Sequence, residues 1–300
     1  MKHFRFYYTL IFMTSVQLVV FTQAQSNKFV PYHRIFGTGD PILIINGGPG
    51  MNSNGFAGVA QKIANMGYQT IIFDQRGTGN SKLASINSQT ITMDLMVDDI
   101  EQLRRELKID KWTILGHSFG GLLACAYYAK YSSSVQKLVF SSSGGVNLNF
   151  LNYVNDNIQS NLTQTQRDSL NYYQNKISNG DTSIKTLRKR ADFLANAYLF
   201  DKEFKDIIAD RLLEVNFTIN NLVFRDLMNS KFDYTNHFRD QDIPVLILQG
   251  TNDIINMQSA LEIRNSFGNA KIVELIDCAH YGWLDNPIEF FEILLDFLKE

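Results

Sequence analysis

Trp112-Thr113-Ile114-Leu115-Gly116-His117-Ser118-Phe119-Gly120-Gly121 is the stretch that decides the fold of this chain. Trp112–Leu115 is a short apolar run of the kind buried on both faces of a parallel sheet, and Gly120–Tyr131 carries a helical pattern. Between them lies G-x-S-x-G. A sharp strand-to-helix turn at this point aims the Ser118 hydroxyl out of the sheet, and Gly116 and Gly120 are required because side chains there would strike the neighbouring strand and helix. The backbone N–H of Phe119 opens the helix, where the partial positive charge of a helix N-terminus favours a developing anion. The pattern alone matches many Gly-rich turns. The strand before it and the helix after it make Ser118 a candidate nucleophile.

Outward from this elbow the same rhythm continues. Ile42–Ile45, Thr70–Phe73, Leu138–Phe140, Val245–Leu248 and Ile272–Ile276 read as further buried strands. Gly55–Met66, Thr92–Leu107, Met257–Ser266 and Pro287–Leu298 read as helices. In the helix from Thr92, Met93, Met96, Val97, Ile100, Leu103 and Leu107 recur at spacings of three and four, which gives it one apolar face. Strand–helix alternation predicts an α/β protein with a doubly wound, mostly parallel sheet. The rhythm breaks between about Val146 and Lys231, where several helices follow one another without strands. The expected organisation is a first core segment over 25–146, a helical cap over 147–232 and a second core segment over 233–300.

A serine hydroxyl needs a base. Of the five histidines, His3 lies in the leader, His33 precedes the first core strand, His117 sits inside the elbow and His237 lies near the end of the cap, before the penultimate core strand. His280 follows the last strand, and parallel sheets place their sites at the carboxyl ends of strands, so His280 is the candidate base. The base in turn needs a carboxylate to fix its tautomer. Asp253 stands just past Val245–Leu248 in Gly250-Thr251-Asn252-Asp253 and is preferred to Asp277 and Asp285, neither of which ends a second strand. The loop Asn46-Gly47-Gly48-Pro49-Gly50 follows the strand Ile42–Ile45. Its paired glycines allow close backbone approach, so the N–H groups of Gly48 and Phe119 are the expected oxyanion donors. Asp74, which ends a strand, and Arg76, which could pair with it, are read as structural support.

The 300-residue chain is 45% hydrophobic and 19% charged with a net charge of -2, a globular balance with no basic excess to attract nucleic acid. Residues 1–24 have a basic start, an interrupted apolar run and the small-residue ending Thr22-Gln23-Ala24. This is the layout of a secretory signal peptide, which implies a secreted or periplasmic protein with no stable membrane association after cleavage. The two cysteines, Cys125 and Cys278, could pair in an exported protein, but their settings favour packed free thiols. No residue spacing suggests a metal or a cofactor. The expected partner is a small molecule or a short peptide.

Together, Asn46–Gly50, the run Asp74-Gln75-Arg76-Gly77-Thr78-Gly79-Asn80-Ser81, the elbow, Gly250–Asp253 and Cys278-Ala279-His280 resemble the proline iminopeptidase group of the α/β hydrolases, over nearly the whole mature chain outside the cap. The resemblance implies the α/β-hydrolase fold and release of an N-terminal residue, often proline, from short peptides. That activity needs carboxylates near the cap to hold the substrate's ammonium. The chain departs from the group's pattern in carrying Ile254 after Asp253, Asn216 before Phe217-Thr218, and Asn46 where the oxyanion loop usually opens with His. Its Gln25–Asp40 segment is also short for the hairpin that usually starts the fold. Glu214 is the candidate amine-binding carboxylate. An exported esterase or other small-acyl hydrolase, and a catalytically silent binding protein on the same scaffold, are the alternatives. Dehalogenase or epoxide hydrolase chemistry would need a carboxylate in place of Ser118.

Overall fold

The computed structural model describes residues 29–300. The expected signal peptide, 1–24, lies outside the described residues. Seven strands form one sheet: β1 (His33–Phe36), β2 (Pro41–Ile45), β3 (Gln69–Phe73), β4 (Trp112–His117), β5 (Val135–Ser141), β6 (Val245–Gly250) and β7 (Ala270–Leu275), in the order β1-β3-β2-β4-β5-β6-β7. The helices are α1 (Ala57–Ala64), α2 (Met93–Glu106), α3 (Phe119–Tyr131), α4 (Val154–Ser160), α5 (Gln164–Ser178), α6 (Ile184–Ala195), α7 (Lys205–Leu213), α8 (Phe217–Asn229), α9 (Met257–Ser266), α10 (Gly282–Asp285) and α11 (Pro287–Lys299).

All neighbouring strands run parallel except β1, which pairs antiparallel with β3, His33 opposite Phe73. This edge strand is one the sequence pattern does not reveal. His33-Arg34-Ile35-Phe36 has neither the continuous apolar run of a central strand nor clean alternation, and Ile35 is exposed. The central strands are what their Ile and Leu content predicts: Leu43, Ile45, Ile71, Ile72 and Ile114 are fully buried. Each such side chain contributes about 1.5–3 kcal/mol relative to exposure.

The strand order places the site. From β2 the chain moves one way along the sheet, through α1 to β3. From β4 it moves the other way, through α3 to β5. With right-handed crossovers, α1 and α3 lie on opposite faces. A crevice opens where the order reverses, between the carboxyl ends of β2 and β4, which are adjacent. The loop after β2 and the elbow after β4 line it. On the α1 face Lys62 Nζ lies 5.9 Å from the ring centre of Phe291 in α11. On the other face Tyr127 of α3 donates to Glu101 of α2 at 2.9 Å.

Between β5 and β6 the described residues form the helices α4 to α8 and no further strand of the sheet, with one isolated antiparallel bridge between Asn147 and Asp233. The sequence explains their boundaries. Thr163 caps α5 in a reciprocal capping box with Gln166, Ser183 caps α6 and Asn216 caps α8. Buried Leu170, Leu194, Ile208, Ile219 and Val223 fill the space between these helices and the core.

Candidate active site

Ser118 sits at the turn from β4 into α3 with φ 54° and ψ -121°, outside the regions that L-residues ordinarily occupy. Such backbone strain costs of order 1–3 kcal/mol and persists only where the surroundings fix it. Here they do. A Cβ on Gly116 would come within 2.6 Å of the Gly120 carbonyl oxygen, and one on Gly120 within 2.1 Å of the Ile45 carbonyl oxygen. Only glycine fits either position, so β4, α3 and β2 clamp the turn.

His280 follows β7 and Asp253 follows β6, and the fold brings them together. His280 Nδ1 lies 2.7 Å from Asp253 Oδ1, with both side chains almost wholly buried. A carboxylate only accepts, so Nδ1 donates and Nε2 is left as the basic nitrogen. The Asp253 carboxylate is fixed in turn by the backbone N–H of Ile255 at 3.0 Å and by Gln249 Nε2 at 3.0 Å. Ser118 and His280 line the same small cavity, about 60 Å³, together with Gly47, Gly48 and Tyr198. The rival acid Asp285 is occupied elsewhere: it accepts from the backbone N–H groups of Ala279, Phe200 and Asp201, which ties the histidine loop to the chain before α7. The His280 backbone N–H donates to the Tyr198 carbonyl at 3.1 Å, and the Tyr198 ring meets the imidazole edge-on at 5.2 Å.

The loop Asn46–Asn52 is held by its carbonyls, every one of which accepts a hydrogen bond. Within the core, Gln75 Nε2 binds the Asn46 oxygen at 2.9 Å, Met51 N binds that of Gly48 at 2.9 Å, and Asn46 Nδ2 binds those of Gly47 and Met51. From the helical segment, Asn220 Nδ2 binds the Pro49 oxygen at 3.0 Å and Asn216 N that of Gly50 at 2.9 Å. Arg211 reaches the Asn52 oxygen at 2.6 Å and the Gly47 oxygen at 3.3 Å. Gly48 takes φ 70°, a left-handed conformation that favours glycine, and lines the cavities beside Ser118. Phe119, the first residue of α3, lines the larger one.

That larger cavity, about 360 Å³, extends from Gly48, Ser118 and Phe119 under the helices. Phe150, Val154, Leu194, Val215, Phe224 and Ile254 give it apolar walls. Among the described residues its one charged lining residue is Arg190 of α6. Glu214 is not among the lining residues; its carboxylate binds Arg211 Nη1 at 2.7 Å.

Two residues near the site escape sequence reading. His117 is buried and its ring centre lies 4.7 Å from that of His280; Nδ1 is 3.1 Å from the Ser141 carbonyl oxygen. Burial, with the nearby His280 and Arg211 charges, holds its pKa well below the usual imidazole range, so it stays neutral beside the candidate base. A histidine between Gly and Ser carries no signal of its ring packing. Arg211 has no motif either, because its partners lie far away in sequence. One expectation is corrected: Arg76 pairs with Asp99, through bonds of 2.7 and 2.6 Å, and not with Asp74. Asp74 instead accepts from Ser53 and from the backbone of Asn80, which ties the Asn46–Ser53 region to the Gly77–Ser81 turn. The structural-support reading of both residues fits these contacts. Both cysteines are buried free thiols.

A switch-point crevice holding an elbow serine, an imidazole–carboxylate pair and a glycine loop defines an α/β hydrolase. The alpha/beta hydrolase fold model matches residues 40–287, and the chain belongs to that family. Among curated relatives it is 26% identical to a proline iminopeptidase of Lactobacillus delbrueckii subsp. lactis, over 91% of this chain and 98% of that one. It is 24% identical to the proline iminopeptidase of Thermoplasma volcanium, over 86% and 88%. Solved structures with this fold include an esterase from Exiguobacterium antarcticum (TM-score 0.69, 18% identity, 90% and 95% coverage) and a bromoperoxidase from Bacillus anthracis (TM-score 0.69, 20% identity, 90% and 95% coverage). Such a range of names on one scaffold means the fold does not choose the substrate.

Proposed function

We propose that the chain is a serine hydrolase that works through an acyl-enzyme on Ser118. The observation that carries this reading is the strained elbow serine sharing a cavity wall with an imidazole already bonded to a buried carboxylate. Ser118 Oγ attacks the substrate carbonyl carbon and its proton passes to His280 Nε2. The N–H groups of Gly48 and Phe119 receive the oxyanion. His280 returns the proton to the leaving group, which departs. Water then attacks the acyl carbon with His280 again taking the proton, and Ser118 is regenerated as the acid leaves. Asp253 orients the imidazole and stabilises its charged form. Labelling of Ser118 by a fluorophosphonate probe in the wild type, and its loss in Ser118→Ala, tests this reading; an unlabelled wild type contradicts it.

For the substrate, the pocket favours a small ester or amide with an apolar acyl group. Among the described residues its lining has no carboxylate to receive an ammonium, and Glu214 is engaged by Arg211. Release of an N-terminal residue is the second reading, supported by relatives named proline iminopeptidase that match over about nine-tenths of the chain. Turnover of proline β-naphthylamide against p-nitrophenyl esters separates the two. Rapid proline release that requires the free amine supports the second reading and counts against the first. For the leader 1–24, the reading is export followed by cleavage before Gln25, which N-terminal sequencing of the mature protein checks.

A further inference from the structure

The two cavities beside Ser118 have different chemistry, and the difference specifies the substrate. The smaller one is lined by His280 and not by Arg190; the larger is lined by Arg190 and not by His280. His280 must deliver its proton to the leaving group, so the leaving group departs on the side of the smaller cavity. The acyl chain is then left to the larger one, which runs from the Gly48–Phe119 wall under the helices. At about 360 Å³ it lies near the lower end of ligand pockets, roughly 300–1,000 Å³, so whatever fills it is small.

Arg190 is an unusual occupant of such a wall. Its guanidinium lies 5.7 Å from the ring centre of Phe217, and its Nε donates to Gln174 Oε1 at 2.6 Å. That bond fixes the plane of the group, and the two Nη groups have no protein acceptor among the described residues. No carboxylate among the described residues forms an ion pair with it. Asp192, two residues on, is held by Arg188 at 2.6 Å and by Lys189, and Glu214 is held by Arg211. Arg190 is half-buried, and that partial burial presses its pKa downward against the opposing effect of Tyr198. A half-buried guanidinium set in an apolar wall can receive an anion, and a planar fork whose Nη groups have no protein acceptor matches a carboxylate.

We infer that Arg190 is the anion-binding group of the acyl pocket, and that the favoured substrate is an ester or amide whose short apolar acyl chain ends in a carboxylate. This rests on the serine hydrolase reading and names its substrate class. A dicarboxylic acid monoester meets both requirements: its carbonyl lies at Ser118, its methylenes lie against the apolar wall and its carboxylate meets the guanidinium.

The test compares p-nitrophenyl hydrogen glutarate with p-nitrophenyl hexanoate, a neutral ester of similar length, at pH 7. The wild type should prefer the glutarate ester. Arg190→Gln should lower kcat/KM for that ester about 10- to 100-fold more than for the hexanoate ester, mainly through KM. Arg190→Lys should recover part of the loss. No preference in the wild type, or an equal loss on both esters, overturns the inference. Fluorophosphonate labelling separates the two layers. An unlabelled wild type sinks the hydrolase reading and this inference with it. Where the wild type labels but turns over neither ester, free glutarate should still slow labelling in the wild type and fail to do so in Arg190→Gln. Absence of that protection overturns the anion site while the nucleophile stands.

Discussion

The rim of the sheet and the wall under the helices meet at Ser118, yet they differ in what fixes them. At the rim the acid–base pair and the loop carbonyls are bound, while the buried Asn46 Oδ1, Gln75 Oε1, His117 Nε2 and Arg211 Nε have no partner among the described residues. Asp253 holds His280, Gln249 and Ile255 hold Asp253, and all seven carbonyls from Asn46 to Asn52 have donors. In the wall the side chains are mostly apolar, and the one charge, Arg190, keeps donors free. The rim therefore has a single arrangement suited to one reaction. The wall has shape and one polar demand, which choose among substrates for that reaction. The join between them is α7–α8, whose Arg211, Asn216 and Asn220 grip the glycine loop from above.

This contrast can be broken at graded cost. Ser118→Ala should abolish acyl transfer, a fall on the order of 10⁶-fold in kcat, with the melting temperature little changed. Residual turnover close to the wild type would remove the rim from the account. Asp253→Asn should lower kcat about 10⁴-fold by presenting the wrong imidazole tautomer, again without loss of fold. Arg211→Gln is the sharper probe, because Arg211 touches the loop and lines neither cavity. Its two bonds position Gly47 and Asn52, so the variant should lose roughly 10²-fold in kcat with KM within a few-fold, and Arg211→Lys should regain part of the loss. A change confined to KM would mean that α7 shapes the wall and leaves the rim alone.

The smallest effect lies far from both regions. Burial opposes ionisation of Glu101, but hydrogen bonds from Arg104, Arg105 and Tyr127 outweigh it and hold the carboxyl down at about 2. Its folded pKa lies below the unfolded value near 4.5, so its contribution to stability is present at neutral pH and is lost as pH falls from about 4.5 to about 2. Glu101→Gln should cost about 1–3 kcal/mol at pH 7 in denaturant titrations, and the gap to the wild type should close in that acid window. Esterase constants at pH 7 should not move. If they do, the back of the sheet is coupled to the rim.

How much of this was legible beforehand depended on the range of each interaction. The elbow could be read because Gly116, Ser118 and Gly120 are contiguous and each is dictated by local geometry. Asp253 and His280 could be read because each follows a buried strand, and a parallel sheet gathers such positions at one edge. The pairing of Arg76 with Asp99 was missed, since it links the turn after β3 to the middle of α2 and Asp74 is the nearer acid in sequence. The edge strand β1 was missed because its two faces are not strongly different in polarity. The contacts of Arg190 and Arg211 were invisible for a different reason. Several helices in a row fix no register against the sheet, so the composition of α4–α8 cannot say which side chains face down into the crevice.

The central claim is that Ser118 carries the acyl group. The direct measurement is intact-protein and peptide mass spectrometry of the wild type and of Ser118→Ala, quenched in acid within seconds of mixing with a p-nitrophenyl ester. The account predicts an added acyl mass on the peptide containing Ser118 in the wild type, absent in Ser118→Ala. Hydrolysis that proceeds with no adduct in the wild type, or with the adduct on another residue, would contradict it.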